Sequence, residues 1–163
     1  MGSLLKNEIG KLFSPRRLQP PVDWAFDNCV LRDNVSELPG SLKVFPYAQE
    51  PLNALIDPTI SKITLCWGSQ SSKTTTMYAG IGYLLSEFPK DTLWIMPSAE
   101  NARNFSKGRW LPFIDDCKPL KDQCPLSAAT GRVDSDKITN MRQEFLSCTL
   151  TFAGAGSENN VKS

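Results

Sequence analysis

KITLCWGSQSSKTTTMYAGIGYLLSEF, Lys62 to Phe88, decides how the rest of the chain is read. It opens on Lys62–Trp67, rich in Ile, Thr, Leu and Trp, a composition that predicts a buried strand. A short loop of small polar residues follows and ends in Lys73-Thr74. From about Lys73 the pattern turns helical, with Met77, Ile81, Leu84, Leu85 and Phe88 on one face and Pro89 as the stop. Strand, loop and helix in that order aim backbone N–H groups and the positive end of a helix dipole at one point. Lys73 adds a full charge there. The arrangement suits an anion, and a nucleotide's phosphates in particular.

The general phosphate-loop pattern is G-x-x-x-x-G-K-[ST]. Here Ser72 stands where a glycine is expected, and Gly68 lies five residues ahead of Lys73 rather than six. In the phosphate reading Lys73 reaches the β- and γ-phosphates and the Thr74 hydroxyl binds Mg²⁺. The amides of Ser69, Gln70, Ser71, Ser72 and Lys73 wrap the phosphate oxygens, with Gly68 and Thr75 at either end of the cradle. Serine at position 72 makes any positive φ costlier by about 1 kcal/mol. The competing reading is a Ser/Thr-rich turn on an ordinary helix, with Lys73 in solvent.

Upstream, Met1–Phe13 reads as a weakly amphipathic helix and Ser14–Pro21 as a proline-bounded connector carrying Arg16 and Arg17. Val22–Leu31 is expected to be helical, with Trp24, Ala25, Cys29 and Val30 inward, and Asp33–Val44 to be loop. Pro46–Ile56 predicts a short helix whose regular part begins late because of Pro51, closed by Asp57-Pro58-Thr59. Downstream, Thr92–Met96 reads as a strand covered on both faces. Ser98 is an expected N-cap with Glu100 in the first turn. Pro112 divides Ala99–Trp110 from Pro112–Asp116. Cys117–Ser135 has turn composition. Ile138–Phe145 and Thr149–Ala153 are expected strands joined through Leu146–Cys148, before a Gly/Ser/Asn-rich Gly154–Ser163. The order predicts a parallel, right-handed α/β unit.

Composition sets outer bounds. The 163 residues suffice for one domain with its own core, and 40% apolar against 21% charged residues fits a globular chain. A net charge of +1 gives no global attraction to nucleic acid, so any such contact falls to local groups such as Lys6, Lys11, Arg16 and Arg17. There is no histidine, and the five cysteines form no C-x-x-C pair. That disfavours zinc and removes Ser-His and Cys-His catalysis. The odd cysteine count and the lack of a signal sequence favour a reducing cytoplasm, and no stretch is long and apolar enough to span a membrane.

The run PYAQEPLNALIDPTISKITLCWGSQSSKTTTM resembles the start of the ATPase domain in large terminase subunits of lambda-like tailed phages and prophages. There a Pro-Tyr and a Gln segment precede a helix ending in Asp-Pro, and a strand leads into G-A-Q-x-G-K-T. Gly68, Gln70, Lys73 and Thr74 match that loop at the same spacing, which accounts for the offset from the general pattern. TLWIMPSAENARNFSKGRWLPFIDDCKPL and LTFAGAGSENNVKS resemble the family's next strand and helix and its Gly-Ala-x-Ser-x-x-Asn-x-x-Ser strand end. The resemblance covers about Trp24 to Ser163. It implies a P-loop NTPase-like three-layer sandwich with a mainly parallel sheet, here incomplete. Residues 1–21 would form an N-terminal arm and 22–163 the N-terminal part of the ATPase domain.

The same resemblance implies an ATP-binding part of a DNA-packaging motor. Lys73 and Thr74 would be its catalytic pair, ATP and Mg²⁺ its ligands, and Tyr47 and Gln49 its adenine contacts; packing and exposed helix surface are the plain alternatives for those two. Implied partners are the small terminase subunit, the portal and double-stranded DNA, in the host cytoplasm. Two departures matter: Ser72 replaces the family's glycine, and the acidic Asp-Glu motif and nuclease domain are missing from these residues. Asp115-Asp116 reads as solvated surface and Glu144 as isolated, so little hydrolysis and some self-association are expected. Rival readings are another helicase-type P-loop ATPase and a non-catalytic assembly fragment docking through Met1–Arg17.

Overall fold

A computed structural model describes residues 18–32, 40–126 and 132–156. The arm Met1–Phe13, the first half of the Ser14–Pro21 connector and the end of the Gly154–Ser163 segment lie outside the described residues. Helix α1, Pro21–Asn28, starts on a proline, which the first helical position tolerates because its missing N–H has no intrahelical role. It is shorter than expected. Cys29 is extended and leads into β1, Val30–Leu31, which pairs antiparallel with β2, Gly40–Ser41, inside the stretch read as loop.

Helix α2 runs Pro46–Asn53 and tightens into a 3-10 turn at Ala54–Ile56. It begins at Pro46 and carries Pro51 within it, so the expected late start is corrected: Pro46 sets the first turn, and Pro51 removes one backbone donor without ending the helix. Asp57 then closes the segment as expected, accepting from the Thr59 amide at 2.8 Å and the Thr59 hydroxyl at 2.6 Å.

Helix α3 spans Lys73–Glu87, starting at the residue the sequence indicated. Its inner face is not the one expected. Thr76, Tyr78, Ala79, Gly80, Gly82, Tyr83, Leu85 and Ser86 are buried, whereas Met77 is 44% exposed and Ile81, Leu84 and Phe88 are only half-buried. Two tyrosine rings outweigh the aliphatic stripe. Tyr83 meets Trp24 edge-on at 5.7 Å, and Tyr78 packs on Phe113 at 4.9 Å. Gly82 lets the helix approach so closely that a Cβ there would meet Phe113 at 3.0 Å and Trp24 at 3.2 Å.

The sheet has three described strands: β3, Thr92–Met96, β4, Arg142–Glu144, and β5, Thr149–Gly154, in the order β3-β5-β4. β3 and β5 run parallel, from Thr92 opposite Leu150 to Met96 opposite Gly154, while β4 and β5 form an antiparallel hairpin. The sheet is therefore mixed rather than mainly parallel. Trp94 is its hub, stacked on Phe152 at 5.5 Å with Phe105 and Trp110 at 4.7 and 5.7 Å. The other face of β3 is open, with Leu93 45% and Ile95 55% exposed, so the expectation of two covered faces fails.

One helical passage covers the hub. Helix α4, Ala99–Phe105, is capped by the Ser98 hydroxyl, which accepts from the Asn101 amide at 3.1 Å. It continues as a π segment, Ser106–Trp110, into α5, Leu111–Asp116, and α6, Lys118–Lys121. Pro112 does not divide it. It is the second residue of α5, its missing N–H removes one backbone bond to the preceding π segment, and the widened π turn lies directly before it. The extra residue turns Trp110 inward, where its indole N–H donates to Gln143 Oε1 at 2.6 Å and Gln143 Nε2 donates to Ser106 Oγ at 3.2 Å. All three residues are buried. The Leu146–Cys148 connection is found as expected, although β4 is shorter than its predicted stretch.

The decisive departure concerns Lys62–Trp67. It is not a strand: it pairs with no described segment, Lys62, Ile63, Thr64 and Cys66 are exposed, and Leu65 and Trp67 are half-buried. Its β-forming residues describe a chain suited to a pleated, half-covered surface, but a strand also needs a neighbour to receive its hydrogen bonds.

Candidate functional site

Between that extended segment and α3 the backbone makes a tight turn. Gln70 and Ser72 both have φ near +57°, a left-handed conformation that side chains with a Cβ seldom adopt. Ser72 is the residue that stands where the general pattern asks for glycine, and it takes the left-handed geometry all the same. Left-handed residues within a short turn swing successive N–H groups toward a common concave side, the arrangement that receives anions. The first turn of α3 adds its unpaired N–H groups and the positive end of a fifteen-residue helix.

Side chains hold the turn closed. The Ser71 hydroxyl donates to the Gly68 carbonyl, and Lys73 Nζ donates to the Trp67 carbonyl at 2.7 Å. Lys73 is half-buried and folds back over the loop rather than reaching into solvent. Thr74 is half-buried in the first helical turn, and Thr75 beside it is half-buried as well. Gly68, Ser69, Gln70, Ser71, Ser72, Lys73, Thr74 and Thr75 therefore form one continuous turn and helix start.

Tyr47 and Gln49 part company. Tyr47 packs edge-on against Trp67, ring centroids 5.0 Å apart, and so stands beside the base of the turn. Gln49 is two residues further along α2, about 200° around the helix axis. It lines a cavity of about 510 Å³ with Gln19, Val22, Asp23, Phe26, Asp27, Lys43 and Val44, to which the turn contributes nothing. Sequence reasoning missed Trp67, whose carbonyl holds Lys73 and whose ring holds Tyr47. Its position directly before the loop was the available signal.

The carboxylates set aside as surface have partners. Asp116 accepts two hydrogen bonds from the Arg32 guanidinium, one of them at 2.8 Å, and this holds its carboxyl below the usual carboxylate range. Glu144, read as isolated, pairs with Lys137 at 2.9 Å and Arg142 at 3.1 Å, and its carboxyl is likewise lowered, chiefly by Lys137. Burial pushes the Cys117 and Cys124 thiols up to about 11, while Cys66 is exposed on the segment before the turn. Among the described residues no group of three or more Cys, Asp or Glu side chains is placed to hold a metal ion. No described helix is long and apolar enough to cross a membrane.

A small mixed sheet, the covering helices and a left-handed turn on a long helix make an α/β fold compatible with part of a P-loop-like ATPase domain. Over residues 36–163 the chain matches the family described as phage terminase large subunit gpA, ATPase domain, and it belongs to that family. Neither a curated protein nor a solved structure matches it.

Proposed function

We propose that the turn Gly68–Thr75 holds the phosphates of ATP in a terminase packaging motor. The observation that carries this reading is the pair of left-handed residues, Gln70 and Ser72, feeding directly into the N-terminus of α3 with Lys73 folded over them. The amides of Ser69–Lys73 would receive phosphate oxygens. Lys73 would exchange the Trp67 carbonyl for the β- and γ-phosphates, and Tyr47 would lie toward the base. The half-buried Thr74 hydroxyl, one residue into α3, fits the part of an oxygen ligand to Mg²⁺, which would neutralise phosphate charge. Family membership supports work with a small terminase subunit, a portal and double-stranded DNA in the host cytoplasm.

Holding phosphates does not by itself bring hydrolysis. Asp116 and Glu144 are engaged by Arg32, Lys137 and Arg142, so neither is offered as the carboxylate that would polarise an attacking water. The proposal for these residues is phosphate binding, with little hydrolysis by the chain alone. Titration of the full chain with ATP and Mg²⁺ tests it. Lys73→Ala should weaken binding by about tenfold or more, the scale of one charge-assisted hydrogen bond, and Thr74→Val should remove the dependence on Mg²⁺. Equal affinity in wild type and Lys73→Ala would overturn the assignment, and ordinary steady-state ATP turnover abolished by Lys73→Ala would overturn the claim about hydrolysis.

A further inference from the structure

Helix α4 and the π segment carry their cations on the side turned away from the Trp94 hub. Arg103, Lys107 and Arg109 are exposed, while Phe105, Ser106 and Trp110 of the same passage are buried. Among the described residues none of the three cations is paired with a carboxylate. The acids of this passage lie outside the run: Glu100 precedes it, Asp115 follows it, and Asp116 is taken up by Arg32. Gly108 stands exposed between Lys107 and Arg109, where neither backbone shape nor packing calls for glycine. Its φ is not positive, and a Cβ there would meet nothing within 4 Å. Glycine inside a helix is destabilising relative to alanine, and no contact within the fold offsets that. Bare backbone suits the close approach of a ligand, and π turns recur at functional sites.

We infer that the run Arg103–Arg109 is a docking surface for the sugar-phosphate backbone of a nucleic-acid duplex, with Gly108 the point of closest approach. Arg103, Lys107 and Arg109 supply unpaired positive charge along one passage, and the exposed Asn104 adds a neutral donor. Contacts of this kind neutralise phosphates and carry no sequence information. No exposed aromatic ring interrupts the run, since Phe105 and Trp110 both face the core. Unpaired bases therefore find nothing to stack on, and a duplex fits the surface better than a single strand. Arg109 ends the run at a small crevice that it lines with Tyr78 of α3. The surface is separate from Gly68–Thr75, so binding there does not depend on the phosphate reading.

Binding of a short fluorescent DNA duplex to the full chain across a salt series, without nucleotide, tests this. Arg103→Gln, Lys107→Gln and Arg109→Gln combined should weaken binding about tenfold or more at low salt, and should reduce the slope of log affinity against log salt by about three, one for each lost phosphate contact. Lys43→Gln, Lys62→Gln and Lys90→Gln combined remove the same charge from exposed positions elsewhere and should cost less than about twofold. Gly108→Gln places a longer, uncharged side chain in open space. It should keep or raise the melting temperature, as a better helix former, while weakening the duplex by about threefold or more. Two duplexes of unrelated sequence should bind alike. Equal losses in the two triple variants would overturn the inference, as would tighter binding of single-stranded than of duplex DNA. Polyglutamate competing as well as the duplex would also overturn it, since the run would then be a surface for anions in general. Full duplex affinity in Gly108→Gln would overturn the close approach, and no binding by the wild-type chain at low salt would overturn the whole.

Discussion

Lys73 Nζ and the Trp67 carbonyl are 2.7 Å apart, so the cation at the head of α3 closes the turn that delivers it. The same contact spans the boundary between an extended segment with no ladder partner and a fifteen-residue helix. Lys73→Met should therefore loosen the turn even without a ligand. Amide hydrogen exchange across Ser69–Ser72 is expected to rise several-fold, with a loss of about 1 kcal/mol in stability, since the group is only half-buried. Unchanged exchange there would show that the contact does not hold the turn.

Ser72 sits at a φ of 57°, where glycine has no steric penalty. Ser72→Gly should relieve about 1 kcal/mol of backbone strain, partly offset by the greater entropy of glycine in the unfolded chain. The net gain appears as a slightly raised melting temperature and as tighter phosphate binding. Ser72→Val should lose on both counts, because a β-branched residue tolerates the left-handed region poorly. A melting temperature indifferent to both changes would contradict the strain.

Gln143 is the sole polar tie between β4 and the π segment among the contacts described for it. Gln143→Leu leaves the buried Trp110 indole N–H and Ser106 hydroxyl unpaired, at an expected cost of about 3 kcal/mol. Adding Trp110→Phe to Gln143→Leu should cost less than the sum of the two single changes, since it removes the orphaned donor. Chemical denaturation of the four species measures that coupling, and strict additivity would argue against the network.

Arg32, the residue after β1, pairs with Asp116 in α5. Asp116 has a carboxyl lowered by the guanidinium, so the native state holds its charge to lower pH than the unfolded chain does. Its contribution is fully present above the unfolded carboxylate value of about 3.9 and is lost as pH falls through the lower native value. Arg32→Gln should flatten the decline of melting temperature between about pH 5 and pH 2 and leave the neutral value little changed, as the pair is substantially exposed. An identical acid limb in both proteins would dismiss the link.

Local signals were legible wherever their cause is local. The start of α3 at Lys73, the Ser98 cap, the Asp57 turn and the two strands Thr92–Met96 and Thr149–Gly154 each follow from a few adjacent residues. What went astray depends on neighbours distant in the chain. Lys62–Trp67 has strand composition, but pairing is a property of what lies beside it. The inner face of α3 was chosen by Trp24 and Phe113 fitting Tyr83, Tyr78 and Gly82, none of which belongs to the aliphatic stripe. The run Gly68–Thr75 was readable as a turn entering a helix because its residues are adjacent in the chain. The contacts of Trp67 and the diversion of Gln49 were not, because the direction in which α2 packs decides them.

Gly154 ends β5 so close to the start of α4 that a Cβ there would lie 2.3 Å from the Ala99 nitrogen, and the next residue, Ala155, donates to the Met96 carbonyl at 2.8 Å. The exit of β5, the exit of β3 and the head of α4 thus meet at a single joint. A pull on the chain beyond this joint, directed along β5, would load the five residue pairs of the parallel ladder together in shear instead of peeling them apart singly.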